Sequence, residues 1–193
     1  MDSAVMNFVW LGLALALIAY AVVIYNALVN LKHGISKAWS NIDVLLKQRH
    51  DELPKLVETC KQYMGFEKDT LERVMQARAA AHSAREAGDV KGVGQAETQM
   101  RLGLGKLFAV AEAYPDLKAN QTFQQLQARI TSLEEQIADR REFYNECVNV
   151  NNVRIEQFPD VIVARLFSFK DAELLKFSEE EKRDVDMKAL FKS

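Results

Sequence analysis

The stretch T-F-Q-Q-L-Q-A-R-I-T-S-L-E-E-Q-I, Thr122–Ile137, decides the architecture. Its apolar side chains, Phe123, Leu126, Ile130, Leu133 and Ile137, recur at alternating steps of three and four, the period of one helix face packed in coiled-coil fashion. The same series runs on through Arg140, Tyr144, Cys147, Asn151 and Arg154 to Phe158, so one helix is expected to reach the Phe158-Pro159 step. Arg140 is its exception: an arginine near a packed seam either snorkels outward or meets an acid, with Glu112 and Glu135 as candidates.

Composition supports long helices around a real core. The chain has 193 residues, 49% of them hydrophobic, with only eight glycines and three prolines to make turns. Upstream, Leu28, Leu31, Ile35, Ala38, Ile42 and Leu45, then Leu53, Leu56, Cys60 and Tyr63, trace one helical stripe with no turn signal before Gly65. Pro54 lies inside it and removes the donor that would reach the His50 carbonyl, which predicts a bend and not a stop. A second helix starts near Glu67, turns Leu71, Val74, Met75, Ala79 and Ala81 inward and closes at Gly88. The segment from Asp89, rich in glycine, reads as a linker into a third helix with Met100, Leu104, Leu107, Phe108 and Ala111 inward. Pro115 ends that helix by pushing Tyr114 out of helical geometry, and Asp116 is placed to cap the next one.

The N-terminus carries no charged side chain between Asp2 and Lys32. A bilayer-spanning helix needs about 20 such residues, and residues 4–25 supply them, so membrane lipid is the first expected partner. A cleaved signal peptide would call for a basic leader; here only the α-amino group opposes Asp2, and the segment reads as a retained single-pass anchor. From Leu31 to His50 the flank holds Lys32, Lys37, Lys47 and Arg49 against Asp43, a balance of +4 − 1 = +3. Basic flanks stay cytoplasmic, which predicts an inner-membrane protein with its N-terminus outside and its helical domain in the cytoplasm. With that anchor running into one helix of ~60 residues, about 90 Å long, the expected organisation is all-α: residues 1–30 as transmembrane anchor, 31–169 as a long antiparallel four-helix bundle, and 170–193 as a charged tail. Ser178 and Glu181 in the tail match a capping box and predict a short helix.

Chemistry-bearing patterns are absent from the sequence. His33, His50 and His82 have no metal-ligand spacing, the G92-V-G94 and G103-L-G105 pairs do not extend to a dinucleotide fingerprint, and no P-loop or nucleophile elbow occurs. Cys60 and Cys147 sit on apolar helical positions and read as reduced core thiols. A formal charge of −2 gives no basic patch for nucleic acid. No catalytic, cofactor-binding or metal residues are expected, and no enzyme activity.

Five stretches together carry a resemblance: Y-N-A-L-V at Tyr25–Val29, A-W-S-N-I-D-V-L-L-K-Q-R-H-D-E-L-P-K-L-V-E at Ala38–Glu58, A-E-A-Y-P-D-L-K-A-N with Phe123 and Leu126 after it, R-R-E-F-Y-N at Arg140–Asn145, and Phe158-Pro159. They resemble the LemA family of bacterial membrane-anchored proteins over roughly Tyr25–Phe169. The resemblance implies a mainly antiparallel helical bundle behind one membrane helix, and the company of a heat-shock membrane metalloprotease. Two positions depart from the family pattern: Asn151-Asn152 stands where a Tyr-Asn pair is usual, and Phe66 where histidine is frequent. The family has no agreed biochemical activity. The chain thus reads as a membrane-anchored scaffold or accessory interaction protein, self-associating and without catalytic chemistry; the alternative is a single-pass sensor coupling the envelope to a membrane protease or signalling partner.

Overall fold

The computed structural model describes residues 3–65 and 67–177, which are mostly helical with no strand among them. Helix α1, Ser3–Lys61, runs unbroken for 59 residues with Pro54 inside it. After it come α2 (Lys68–Glu86), α3 (Val90–Ala111), the short α4 (Pro115–Ala119), the 36-residue α5 (Gln121–Glu156) and α6 (Asp160–Leu166). The fold class is the one the periodicity predicts. Phe66 and the Ser178–Glu181 capping box lie outside the described residues.

The chain divides into two compact units. One unites Asn41–Arg141 with the segment from Glu173, and its core is built from all five helices that pass through it. Leu53, Leu56 and Cys60 come from α1, Met64 from the turn after it, Leu71, Val74 and Ala77 from α2, Met100, Leu104, Leu107 and Ala111 from α3, Leu117 from α4, and Phe123, Leu126 and Ile130 from α5. Within this unit Arg85 pairs with Asp43, Arg49 with Glu97, and Asn120 with Tyr63, so α2 and α5 run antiparallel to α1 while α3 runs parallel to it. The other unit joins the chain up to Ser40 with Glu142–Ala172. There Ile24 and Leu28 of α1 pack on Val163 and Ala164 of α6, and the Trp39 and Tyr144 rings stand 5.5 Å apart.

The expected glycine-rich linker before α3 does not exist. Gly88 takes φ +67, open to a residue with no Cβ, and two bonds close α2 in a Schellman turn: Asp89 N–H to Ala84 O at 3.0 Å and Gly88 N–H to Arg85 O at 3.1 Å. Asp89 then caps α3 at once, its Oδ1 accepting from Gly92 N–H at 2.8 Å. Because one residue both ends α2 and starts α3, Gly92, Gly94, Gly103 and Gly105 fall inside the helix. Gly94 has a packing reason: a Cβ there would come 2.2 Å from the carbonyl oxygen of Lys176, so the chain after Glu173 lies directly on α3. Ala77, not Ala79, is the inward alanine of α2.

The α5 seam also departs from the strict heptad. Phe123, Leu126, Ile130, Leu133, Ile137 and Tyr144 are buried as predicted, but the next buried positions are Val148 and Asn151, while Arg140 and Phe158 are exposed and Cys147 and Arg154 half-buried. Between Ile137 and Tyr144 the inward face steps by four and three through the half-buried Arg141, and from Tyr144 by four to Val148, which moves the stripe round by one residue; an inserted step of this kind relaxes a heptad repeat toward the straight-helix period. Arg140 therefore needs no acid, and Glu112 pairs with Lys118.

Candidate functional site

Two places stand out: a buried charge cluster and an exposed apolar helix end. The first lies in the α1–α3–α5 interior. Arg49 is 2% exposed and Glu97 1%, and Arg49 Nη2 stands 2.5 Å from both carboxylate oxygens of Glu97. Arg49 Nη1 donates to Glu134 on α5. Burial opposes the Arg49 charge, yet the two carboxylates outweigh it and hold the guanidinium above its ordinary value. Burial pushes the Glu97 carboxyl up; Arg49 pulls against this, and Glu134 adds to it. Sequence reading missed this cluster by looking for the buried charge at Arg140. The signal was present: Arg49 falls on the inward stripe between Ile42, Leu46 and Leu53, and Glu97 on that between Val93 and Met100.

Beside it, His50 and His82 bring their rings to 5.0 Å, a meeting that sequence spacing did not show. Burial, then Arg78 and His82, lowers the His50 pKa from its ordinary 6.5. Arg78 Nε donates to the His50 carbonyl at 2.9 Å. The void these side chains share with Arg49 and Glu97 is about 10 Å³, the size of one water, so it admits no organic ligand. Among the described residues no three metal-ligating side chains gather. The cluster ties α1, α3 and α5 together through buried charge.

The family-like motifs fold into corners. Pro115 is the first residue of α4 behind a non-helical Tyr114, the position where its missing N–H and fixed φ cost nothing. Asp116 caps nothing; the cap belongs to Asn120, whose Oδ1 accepts from Phe123 N–H at 3.0 Å while its Nδ2 donates to the Tyr63 hydroxyl at 3.0 Å. Leu117, between them, is fully buried. At the departure Asn151-Asn152, the Asn152 amide clasps Ala172 twice at 2.9 Å, its Oδ1 accepting from the Ala172 N–H and its Nδ2 donating to the Ala172 carbonyl. Arg141 stacks 4.1 Å over the Phe177 ring, and Leu175 is buried, so the segment up to Phe177 is held by packing.

The second place is the apolar end of α1. One helix among the described residues, Met6–Lys61, is long and apolar enough to cross a membrane, with a window of mean hydropathy 2.4 and almost no burial against protein. Phe8, Trp10, Leu17 and Ile18 are each more than half exposed.

Comparison with known proteins fits this anatomy. The LemA family model matches residues 38–188. The chain belongs to the LemA family. Protein LemA of Metamycoplasma hominis is 28% identical to this LemA-family chain over 167 residues, covering 86% of it and 74% of that protein. Magnetosome protein MamQ 2 of Paramagnetospirillum magneticum is 24% identical over 181 residues, covering 82% of this chain and 66% of that protein. Magnetosome protein MamQ of Magnetospirillum gryphiswaldense is 23% identical over 172 residues, with 77% and 63% covered. The LemA-family chain thus spans just under two thirds of the length of these magnetosome relatives.

Proposed function

We propose that this chain is a membrane-anchored scaffold or accessory subunit that holds a helical bundle at the inner face of the cytoplasmic membrane, associates with itself and with other membrane proteins, and has no catalytic chemistry of its own. The observation that carries the reading is α1, which passes without interruption from the exposed apolar residues after Met6 to the fully buried Leu53, Leu56 and Cys60. A single helix shared in this way joins the bundle to its anchor along the chain. The basic flank from Lys32 to Arg49 supports a cytoplasmic bundle and an external N-terminus. Membership of the LemA family and the apolar helix together support residence in the membrane.

Self-association is supported by the outer side of the α2–α3 pair. A groove of about 820 Å³ runs there over Ala80, Ala84, Gly92, Ala96 and Gly103, whose short side chains leave the backbone near the surface for another helix to approach. Crosslinking in native membranes, with identification of the adducts, tests the proposal. It predicts self-adducts together with a recurring membrane-protein partner, a membrane metalloprotease among the candidates. Recovery of uncrosslinked monomer alone, with a known oligomer captured in the same membranes, or a defined turnover by the purified chain, contradicts it.

A further inference from the structure

We propose that the chain touches the bilayer a second time, through α6 and its two ends: Ile162 and Leu166 of the helix, with Phe158 before it and Phe167 after it, dock into the headgroup–acyl boundary of the membrane that α1 spans. This rests on the reading of residues 4–25 as the anchor. The α6 helix is apolar on two sides. Val163 and Ala164 are buried against Ile24 and Leu28 of α1, with Ala21 and Leu31 closing the contact. Away from that contact Phe158 is 81% exposed, Leu166 74% and Ile162 59%, while Phe167, with one side of its ring against Tyr25 of α1, is 55% exposed. Scattered exposed apolar residues need no explanation, but four large ones gathered around a seven-residue helix mark a contact surface.

The occupant is set by where α6 sits on α1. Ile24, Leu28 and Leu31 are the last turns of the charge-free run, which ends at Lys32. A span of residues 4–25 is about 33 Å long at 1.5 Å per residue, just over the hydrocarbon thickness of a bilayer. The bare face of α6 therefore lies at the level where hydrocarbon gives way to headgroups. Tyr25 marks that level, its ring 4.7 Å from Phe167 and 5.8 Å from Phe169, and aromatic side chains favour that boundary. The acid of the helix, Asp160, is buried and paired with Arg154, so it does not face lipid. Exposed Arg165 and Lys170 stand beside the apolar face, where long basic side chains reach headgroup phosphates while their stems stay in apolar surroundings. Apolar burial, not charge, drives such a contact, because Asp171 is exposed nearby as well.

Spin-label accessibility in the full chain tests this. Single cysteines are introduced as Phe158→Cys, Ile162→Cys and Leu166→Cys, with Leu17→Cys inside the span and Gln136→Cys on the exposed side of α5 as references. Each carries Cys147→Ala; Cys60 stays, fully buried and unreactive. The protein is placed in nanodiscs of equal parts phosphatidylcholine and phosphatidylglycerol. The proposal predicts that labels at 158, 162 and 166 meet oxygen more than a water-soluble nickel reagent, as at 17, with the order reversed at 136. Water-like labels on α6 with a lipid-like label at 17 overturn the second contact and leave the anchor standing. A water-like label at 17 removes the anchor and the proposal with it. Labels on α6 shielded from both reagents mean that protein, such as a second copy of the chain, covers the face, and this too overturns the proposal.

Discussion

Arg78 donates its Nε hydrogen to the carbonyl of His50 at 2.9 Å, and that carbonyl is the one Pro54 leaves without its helical partner. A side chain of α2 thus completes the backbone bonding of α1 across the bundle. Arg78→Met should destabilise the detergent-solubilised chain by about 1–3 kcal/mol, the cost of a half-buried acceptor left unmade. In a Pro54→Ala background the residue-54 N–H is available to the same carbonyl, and Arg78→Met should cost clearly less. Urea unfolding of the four proteins reads this; strictly additive effects would show that the two groups do not serve the same carbonyl.

The Arg49 cluster gives the largest predicted single effect. Arg49→Met removes the cation that bridges the Glu97 and Glu134 carboxylates and should cost about 3–5 kcal/mol. Glu97→Gln removes a carboxylate whose charged form burial already disfavours, and Arg49 keeps Glu134, so its cost should be about 1 kcal/mol. Arg49→Met combined with Glu97→Met should recover most of the loss. Thermal unfolding of all three decides it, and an Arg49→Met protein as stable as the parent would contradict the assignment.

His50 predicts an acid-side loss of stability. Its pKa in the folded chain lies below the ordinary 6.5 because it is partly buried beside Arg78 and His82. The unfolded chain therefore binds the proton more readily, and stability is complete above about pH 6.5 and falls as pH drops through the folded value. His50→Gln should flatten the fall in melting temperature between pH 7 and 5.5 relative to the parent. Identical pH profiles would refute it.

Much of the fold was readable in the sequence, because most of it rests on apolar period. The stripe of α1, the stop at Gly88 and the seam from Phe123 to Ile137 come from local spacing and turn chemistry. The features missed depend on contacts distant in sequence. The position of Gly94 has meaning only once Lys176 lies on it, eighty-odd residues later, so a glycine pair inside a helix imitates a linker. Arg49 and Glu97 were hidden for a related reason: each looks like a solvated charge until the partner 48 residues away is in place. Asn120 drew no notice beside Pro115, although the asparagine makes both corner bonds.

Two glycines of α3 separate propensity from packing. Gly105 has open space where a Cβ would stand, so Gly105→Ala should stabilise the chain by about 0.5–1 kcal/mol. Gly94→Ala forces the Lys176 carbonyl away and should release Leu175 from its buried seat, exposing the segment after Glu173 to limited proteolysis. Equal effects of the two substitutions would mean that the segment does not pack on α3.

The central claim, a bundle held on the cytoplasmic side by one N-terminal span, is tested most directly by thiol labelling in intact cells. Ser3→Cys and Ser193→Cys are made singly in a Cys147→Ala chain; Cys60 stays silent, since burial pushes its thiol up to about 11. An impermeant maleimide should label position 3 and leave position 193 unmodified until the cells are opened. Labelling of position 193 alone in intact cells would contradict the account.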